Sequence, residues 1–109
     1  MLLKMGRHLR PRPHFKIIVG REEGENNFME GYKNQFISMY TLSHTGPLVL
    51  VDGKTNEDDL TLAAQLTARF SHGRNASSVK VRVRQPDKEE FTLDVTPISS
   101  DDIPQEWYI

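Results

Sequence analysis

The chain contains no cysteine, which excludes a disulfide scaffold, a Cys-based zinc ribbon, a thiol nucleophile and any persulfide-carrying role. No stretch approaches the roughly 18 apolar residues of a membrane-spanning helix, so no membrane partner is expected. Only two leucines precede Lys4 in the basic start MLLKMGRHLRPRP. The apolar segment of a secretory signal is therefore missing, and a cytoplasmic location is expected. There is no internal repeat and no low-complexity tract. What remains is 109 residues, 37% hydrophobic and 27% charged, with a mean hydropathy of −0.56. That is the composition of one compact, soluble domain, expected over residues 1–109. A chain of this size buries roughly 65% of its unfolded surface, enough for a core without metal or disulfide staples.

Catalytic constellations are equally scarce. His8, His14, His44 and His72 form no i, i+4 pair with a carboxylate set for metal. Ser43-His44 and Ser71-His72 are adjacent in sequence, but a nucleophile and its base must meet in space, and nothing indicates a triad. Asp52-Gly53-Lys54-Thr55 imitates the end of a phosphate-binding loop, yet Leu48 stands where that motif needs glycine. Three acids follow in the next helical turn and would repel a nucleotide. No cofactor and no enzymatic activity are expected of the chain.

Charge is where the sequence becomes specific. The net charge of −1 conceals segregation. Residues 1–21 hold six bases (Lys4, Arg7, Arg10, Arg12, Lys16, Arg21) and no acid, and residues 60–86 hold five (Arg69, Arg74, Lys80, Arg82, Arg84), again without an acid. Residues 22–59 hold two bases and eight acids, and residues 87–109 one base and seven acids. Such blocks create local fields that the total does not report.

The hydrophobic pattern predicts an α+β domain, a largely antiparallel sheet of about five strands in β-α-β-β-α-β-β order with two helices on one face. Residues 1–13 read as a basic extended arm or linker. The strand His14–Gly20 comes next, then an acid-led helix from Glu22 to about Lys33, with Phe28 and Tyr32 on one side. Phe36–Leu42 and Pro47–Val51 form a hairpin around Ser43-His44-Thr45-Gly46. Asn56 caps a helix running to His72, with Leu60, Ala63, Ala64, Leu66, Thr67 and Phe70 as its apolar stripe and Gly73 as its stop. Val79–Gln85 and Glu90–Thr96 alternate strictly around a Pro86-Asp87 turn. Residues 99–109 are an acidic tail from which Trp107 docks back on the body.

Alternation puts Val79, Val81 and Val83 in the core and lines up Lys80, Arg82 and Arg84 outside, ~6.6 Å apart along the strand. A row of this kind suits a phosphate backbone. It also suits a solvated or aggregation-guarded strand face, with Glu90 or Asp94 available as cross-strand partners. Arg7, Arg10 and Arg12 add a proline-stiffened basic segment. Arg69 and Arg74 flank the end of the second helix, where the dipole favours cations in any case. If these groups converge, they form a surface for a polyanion.

Gly20-Arg21-Glu22-Glu23 with Glu25-Asn26, the hairpin Ser43-His44-Thr45-Gly46-Pro47-Leu48, Gly6-Arg7-His8, the helix start Glu57-Asp58-Asp59 and Ala68-Arg69-Phe70-Ser71-His72-Gly73-Arg74 resemble the NFACT-R family of RNA-binding domains. The nearest likeness is to the shorter variant attached to bacterial and archaeal PP-loop enzymes of tRNA thiolation, over roughly residues 6–98. Glu22 departs from it, since the larger family often has asparagine there, and a polar contact after Arg21 is thereby in doubt. The resemblance implies a non-catalytic domain that binds RNA, tRNA in particular, beside an upstream PP-loop thiolation domain. It implies Arg7, Arg21, His44, Arg69 and Arg74 as contacts; Arg10, Arg12, Lys80, Arg82 and Arg84 come from the charge pattern alone. The rival reading is a protein-interaction adaptor whose basic strand docks an acidic partner.

Overall fold

The computed structural model describes residues 6–32 and 34–109; Lys4, counted in the basic arm, and Lys33, the expected helix end, lie outside the described residues. The elements are β1 (Arg7–Arg12), β2 (Phe15–Val19), α1 (Glu23–Glu30), β3 (Ile37–Thr41), β4 (Val49–Gly53), α2 (Glu57–Arg69), β5 (Val79–Arg84) and β6 (Phe91–Val95), followed by two short 3-10 turns. The strands form one sheet in the order β1-β2-β4-β3-β5-β6, antiparallel at every junction. The α+β class and the antiparallel sheet are those expected. No helix among the described residues is long and apolar enough to cross a membrane.

Two features differ from the sequence reading. Residues 7–12 are not an arm but a sixth strand, pairing Arg7 with Val19 and Leu9 with Ile17. Proline cannot donate to a ladder and is tolerated at a sheet edge. Here β1 is that edge, and its register shifts between Leu9 and Arg12, around Pro11. Leu9 and Pro11 are buried while Arg7 and Arg10 are exposed, so the strand has an inward side that two prolines disguise.

The helices also lie on opposite faces rather than one. Phe15, Ile17, Val19, Val49 and Val51 pack with Leu60, Ala63, Ala64, Leu66 and Ala68 of α2. The alternate residues Ile18 and Leu50 pack with Met29 of α1, joined by Leu48, Tyr32 and Phe36. The cause is topological. The connections β2-α1-β3 and β4-α2-β5 each step over one strand in the same direction across the sheet, but β4 runs opposite to β2. Crossovers between parallel strands share one hand, and two of the same hand begun from opposed strands must carry their helices on opposite faces.

The expected helix cap holds. Asn56 Oδ1 accepts from the Asp59 N–H at 2.8 Å, and Asp59 Oδ2 accepts from the Asn56 N–H at 3.1 Å, a reciprocal capping box. The tail returns as expected: Trp107 packs against the larger core, Tyr108 bridges to Leu9, and the Ile109 N–H donates to the His8 carbonyl at 3.1 Å.

Candidate nucleic-acid interface

Strand register brings four separated segments to one end of the sheet. Arg7 sits opposite Val19, Val19 opposite Val49, and Gly20 N–H donates to the Leu48 carbonyl at 3.0 Å. The end of α2 arrives at the same place, where the His72 N–H donates to the Thr45 carbonyl at 2.7 Å. A cleft of about 410 Å³ opens there, lined by Arg7, Gly20, Arg21, Asn26, Phe70 and His72 and floored by the loop Thr45–Pro47. No carboxylate is among the described residues that line it.

Glycines let these segments approach. Gly6 has φ +71°, and a Cβ there would stand 2.5 Å from the Val19 carbonyl oxygen. At Gly73 a Cβ would meet the His44 ring at 2.7 Å. Asn26 clamps the loop from the other side, its Oδ1 accepting from the Leu48 N–H at 3.3 Å.

The two cleft arginines are held by different means. Glu25, buried on α1, receives four donors: Gly6 N–H at 3.0 Å, Arg21 N–H at 2.9 Å, and Arg21 Nε and Nη2 at 3.3 and 3.1 Å. The Arg21 side-chain bond, then the Gly6 and Arg21 backbone N–H groups, lower the Glu25 pKa to about 2. One carboxylate thus fixes both Arg21 and the turn leading to Arg7. Glu22 makes no side-chain cap on α1. Arg7 instead lies over the rings of Phe70 and Tyr108, at 5.9 and 5.6 Å from their centroids.

The other expected site residues are distributed otherwise. His44 braces the loop, its Nδ1 2.9 Å from Ser43 Oγ, while Thr41 Oγ1 donates to its carbonyl. Arg69 and Arg74 donate to the carbonyls of Arg74 and Ser71 at 3.4 and 3.3 Å, close to the end of α2. Arg10 donates to the Pro13 carbonyl at 3.2 Å. Arg12 goes to the far end of the sheet, where it pairs with the buried Asp59 beside His14 Nε2, which is 2.7 Å from the same carboxylate. Burial works to raise the Asp59 pKa, but the Asn56 N–H, His14 and Arg12 outweigh it, and the group sits below its ordinary value.

The basic row on β5 does not join the cleft. Its valines are buried as expected, but the cations project from the α1 face beside the far edge strand, whereas β1 is the opposite edge. Each is matched by an acid from the β5–β6 hairpin: Lys80 with Asp94 at 3.0 Å, Arg82 with Glu90 at 3.0 Å, and Arg84 with Glu90 at 3.5 Å. The expected single positive surface is therefore not formed, because the facing strand supplies carboxylates in register. Asn26 and Phe70, which line the cleft, and Glu25, which holds Arg21 and Gly6, are positions that the charge pattern did not point to. The Arg21…Glu25 spacing of four was the available signal.

The fold and the cleft together define a small α+β domain with two arginines and no carboxylate among the described residues that line its cleft. The model of the NFACT protein RNA-binding domain (NFACT-R_2) matches residues 6–108, and the chain belongs to that family of RNA-binding domains. Among solved structures it is similar to the C-terminal part of the fibronectin/fibrinogen-binding protein FBPS from Streptococcus suis, at 23% identity and a TM-score of 0.78. The match covers 97% of this chain and 49% of that one, so the chain spans about half of that structure. No curated protein matches.

Proposed function

We propose that the cleft holds the phosphate backbone of structured RNA, tRNA in particular, and that the domain works without catalysis of its own beside a PP-loop tRNA thiolation domain in the cytoplasm. The carrying observation is convergence: four of the segments that resemble the short NFACT-R variant meet at one acid-free cleft containing Arg7 and Arg21. Guanidinium forks suit phosphate oxygens, and backbone contacts of this kind read RNA shape more than sequence. His44, Arg69 and Arg74 stand near the end of α2 beside the cleft as secondary contacts, while Arg10, drawn to the Pro13 carbonyl at the other end of the β1–β2 hairpin, contributes less. Arg12, Lys80, Arg82 and Arg84 contribute less, since none of them lines the cleft and each faces a carboxylate; Arg21 is also paired, with Glu25, but that pair holds it in the cleft wall.

The test is tRNA binding by filter retention or anisotropy over a salt series. Arg7→Ala with Arg21→Ala weakens binding at least tenfold and flattens the log-log salt slope by roughly 1.5. Replacing Lys80, Arg82 and Arg84 together by alanine has a smaller effect. If the triple variant loses more than the double variant, the cleft is not the backbone site and the basic strand takes its place.

A further inference from the structure

A second cavity of about 580 Å³ lies over β3 on the α1 face, lined by Asn27, Ser38, Tyr40, Leu48, Arg84 and Glu90. It shares Asn26 and Gly46 with the cationic cleft, so the two adjoin at the loop that closes the hairpin. Its chemistry differs from that of the cleft. Glu30 and Glu90 face it, which disfavours a phosphate. Tyr40 stands on an inner strand of the sheet yet is 39% exposed, an aromatic ring left uncovered where α1 stops short of β5.

The third observation is an orphan donor. Arg84 Nε and Nη2 reach Glu90 at 3.5 Å and Asn34 Oδ1 at 3.1 Å, but its Nη1 is buried with no hydrogen-bond partner. Buried donors are nearly always satisfied. Because Nη1 is buried, an acceptor in this cavity meets it only after the guanidinium swings outward, whereas the Glu90 carboxylate already lines the cavity and retains lone pairs for a donor. A flat group carrying both donors and acceptors on its edge, with π faces above and below, is a nucleobase. Antiparallel sheets that bind RNA use exposed aromatic side chains as stacking platforms in this way.

We infer that the cavity is a nucleobase subsite. An unpaired base of the bound RNA stacks on Tyr40 and turns its edge toward Arg84, Ser38 and Glu90, while the adjoining backbone runs past Asn26 and Gly46 into the Arg7–Arg21 cleft. This rests on the RNA reading above and adds to it a preference for single-stranded or flipped-out nucleotides over plain duplex.

The experiment uses the full chain and two probes, a single-stranded pentaribonucleotide carrying a central 2-aminopurine and a blunt RNA duplex, titrated across salt. The single strand binds more tightly than the duplex, and 2-aminopurine fluorescence falls on binding. Tyr40→Ala weakens the single strand by between about five- and a hundredfold, abolishes the quench and leaves the salt slope unchanged; Tyr40→Phe retains both affinity and quench. Thermal melting checks that the Tyr40 variants are folded. Equal affinity of Tyr40→Ala and the parent for the single strand overturns the subsite while the RNA reading stands. Failure of the parent to bind either probe or tRNA overturns both. A Tyr40→Ala effect of the same size on the duplex overturns the subsite, because a duplex has no base to offer it.

Discussion

At the scale of single residues, Glu25 has the widest reach. Its folded pKa of about 2 lies below the ordinary 4.5, so between those values the unfolded chain binds the extra proton and protonation favours unfolding. The stabilisation is present in full above about pH 4.5 and is lost as the pH falls toward 2. Urea unfolding at pH 7 and pH 3 checks this: Glu25→Gln has the lower midpoint at pH 7, and its midpoint falls less between the two pH values than that of the parent. Glu25→Gln also weakens tRNA binding, through the loosening of Arg21, with little change at Lys80 or Arg82. Glu25 was hard to find in sequence because it sits in an acid-rich turn where a helix dipole already accounts for carboxylates. Its burial, which sets it apart from Glu22 and Glu23, depends on where Gly6 lands.

At the scale of elements, legibility followed the clarity of the period. The second helix announced itself by its cap and stripe, and the alternation of β5 assigned every side chain to the correct face. Asn56→Ala removes one half of the capping box and costs about 1 kcal/mol, a Tm decrease of roughly 4–8 °C measurable by circular dichroism. Val81→Ala, at a fully buried β5 position, costs about 2 kcal/mol. The element that escaped was β1, where Pro11 inside the strand and Pro13 just beyond it argue for an extended linker unless an edge is known to be available. Its outer edge is partly covered by the tail through the Leu9–Tyr108 bridge. Deleting residues 104–109 therefore lowers Tm by roughly 5–10 °C and weakens RNA binding, because Tyr108 no longer backs Arg7.

At the scale of the whole molecule, strand order was the missing quantity. The pattern of apolar residues identified most strands but not which lie side by side, and that order decides both departures from expectation. It sends α1 and α2 to opposite faces. It also parts Lys80, Arg82 and Arg84, which face acids of their hairpin partner, from the N-terminal basic block, which feeds an edge strand and the cleft. Charge counted along a chain is silent about cross-strand pairs. Four of the five motifs behind the resemblance are loops and strand ends that meet at one rim of the sheet, while the helix start Glu57-Asp58-Asp59 lies at the other end beside Arg12 and His14.

The different holds on the two cleft arginines have a consequence for how the domain behaves in concentrated electrolyte. Arg21 leans on a carboxylate and is 56% exposed, and dissolved ions weaken such a contact. Arg7 rests on two aromatic faces, whose short-range attraction depends less on bulk ions. As ionic strength climbs, one guanidinium loosens while the other stays in register, so that a single fixed anchor persists when most of the long-range attraction has been screened away.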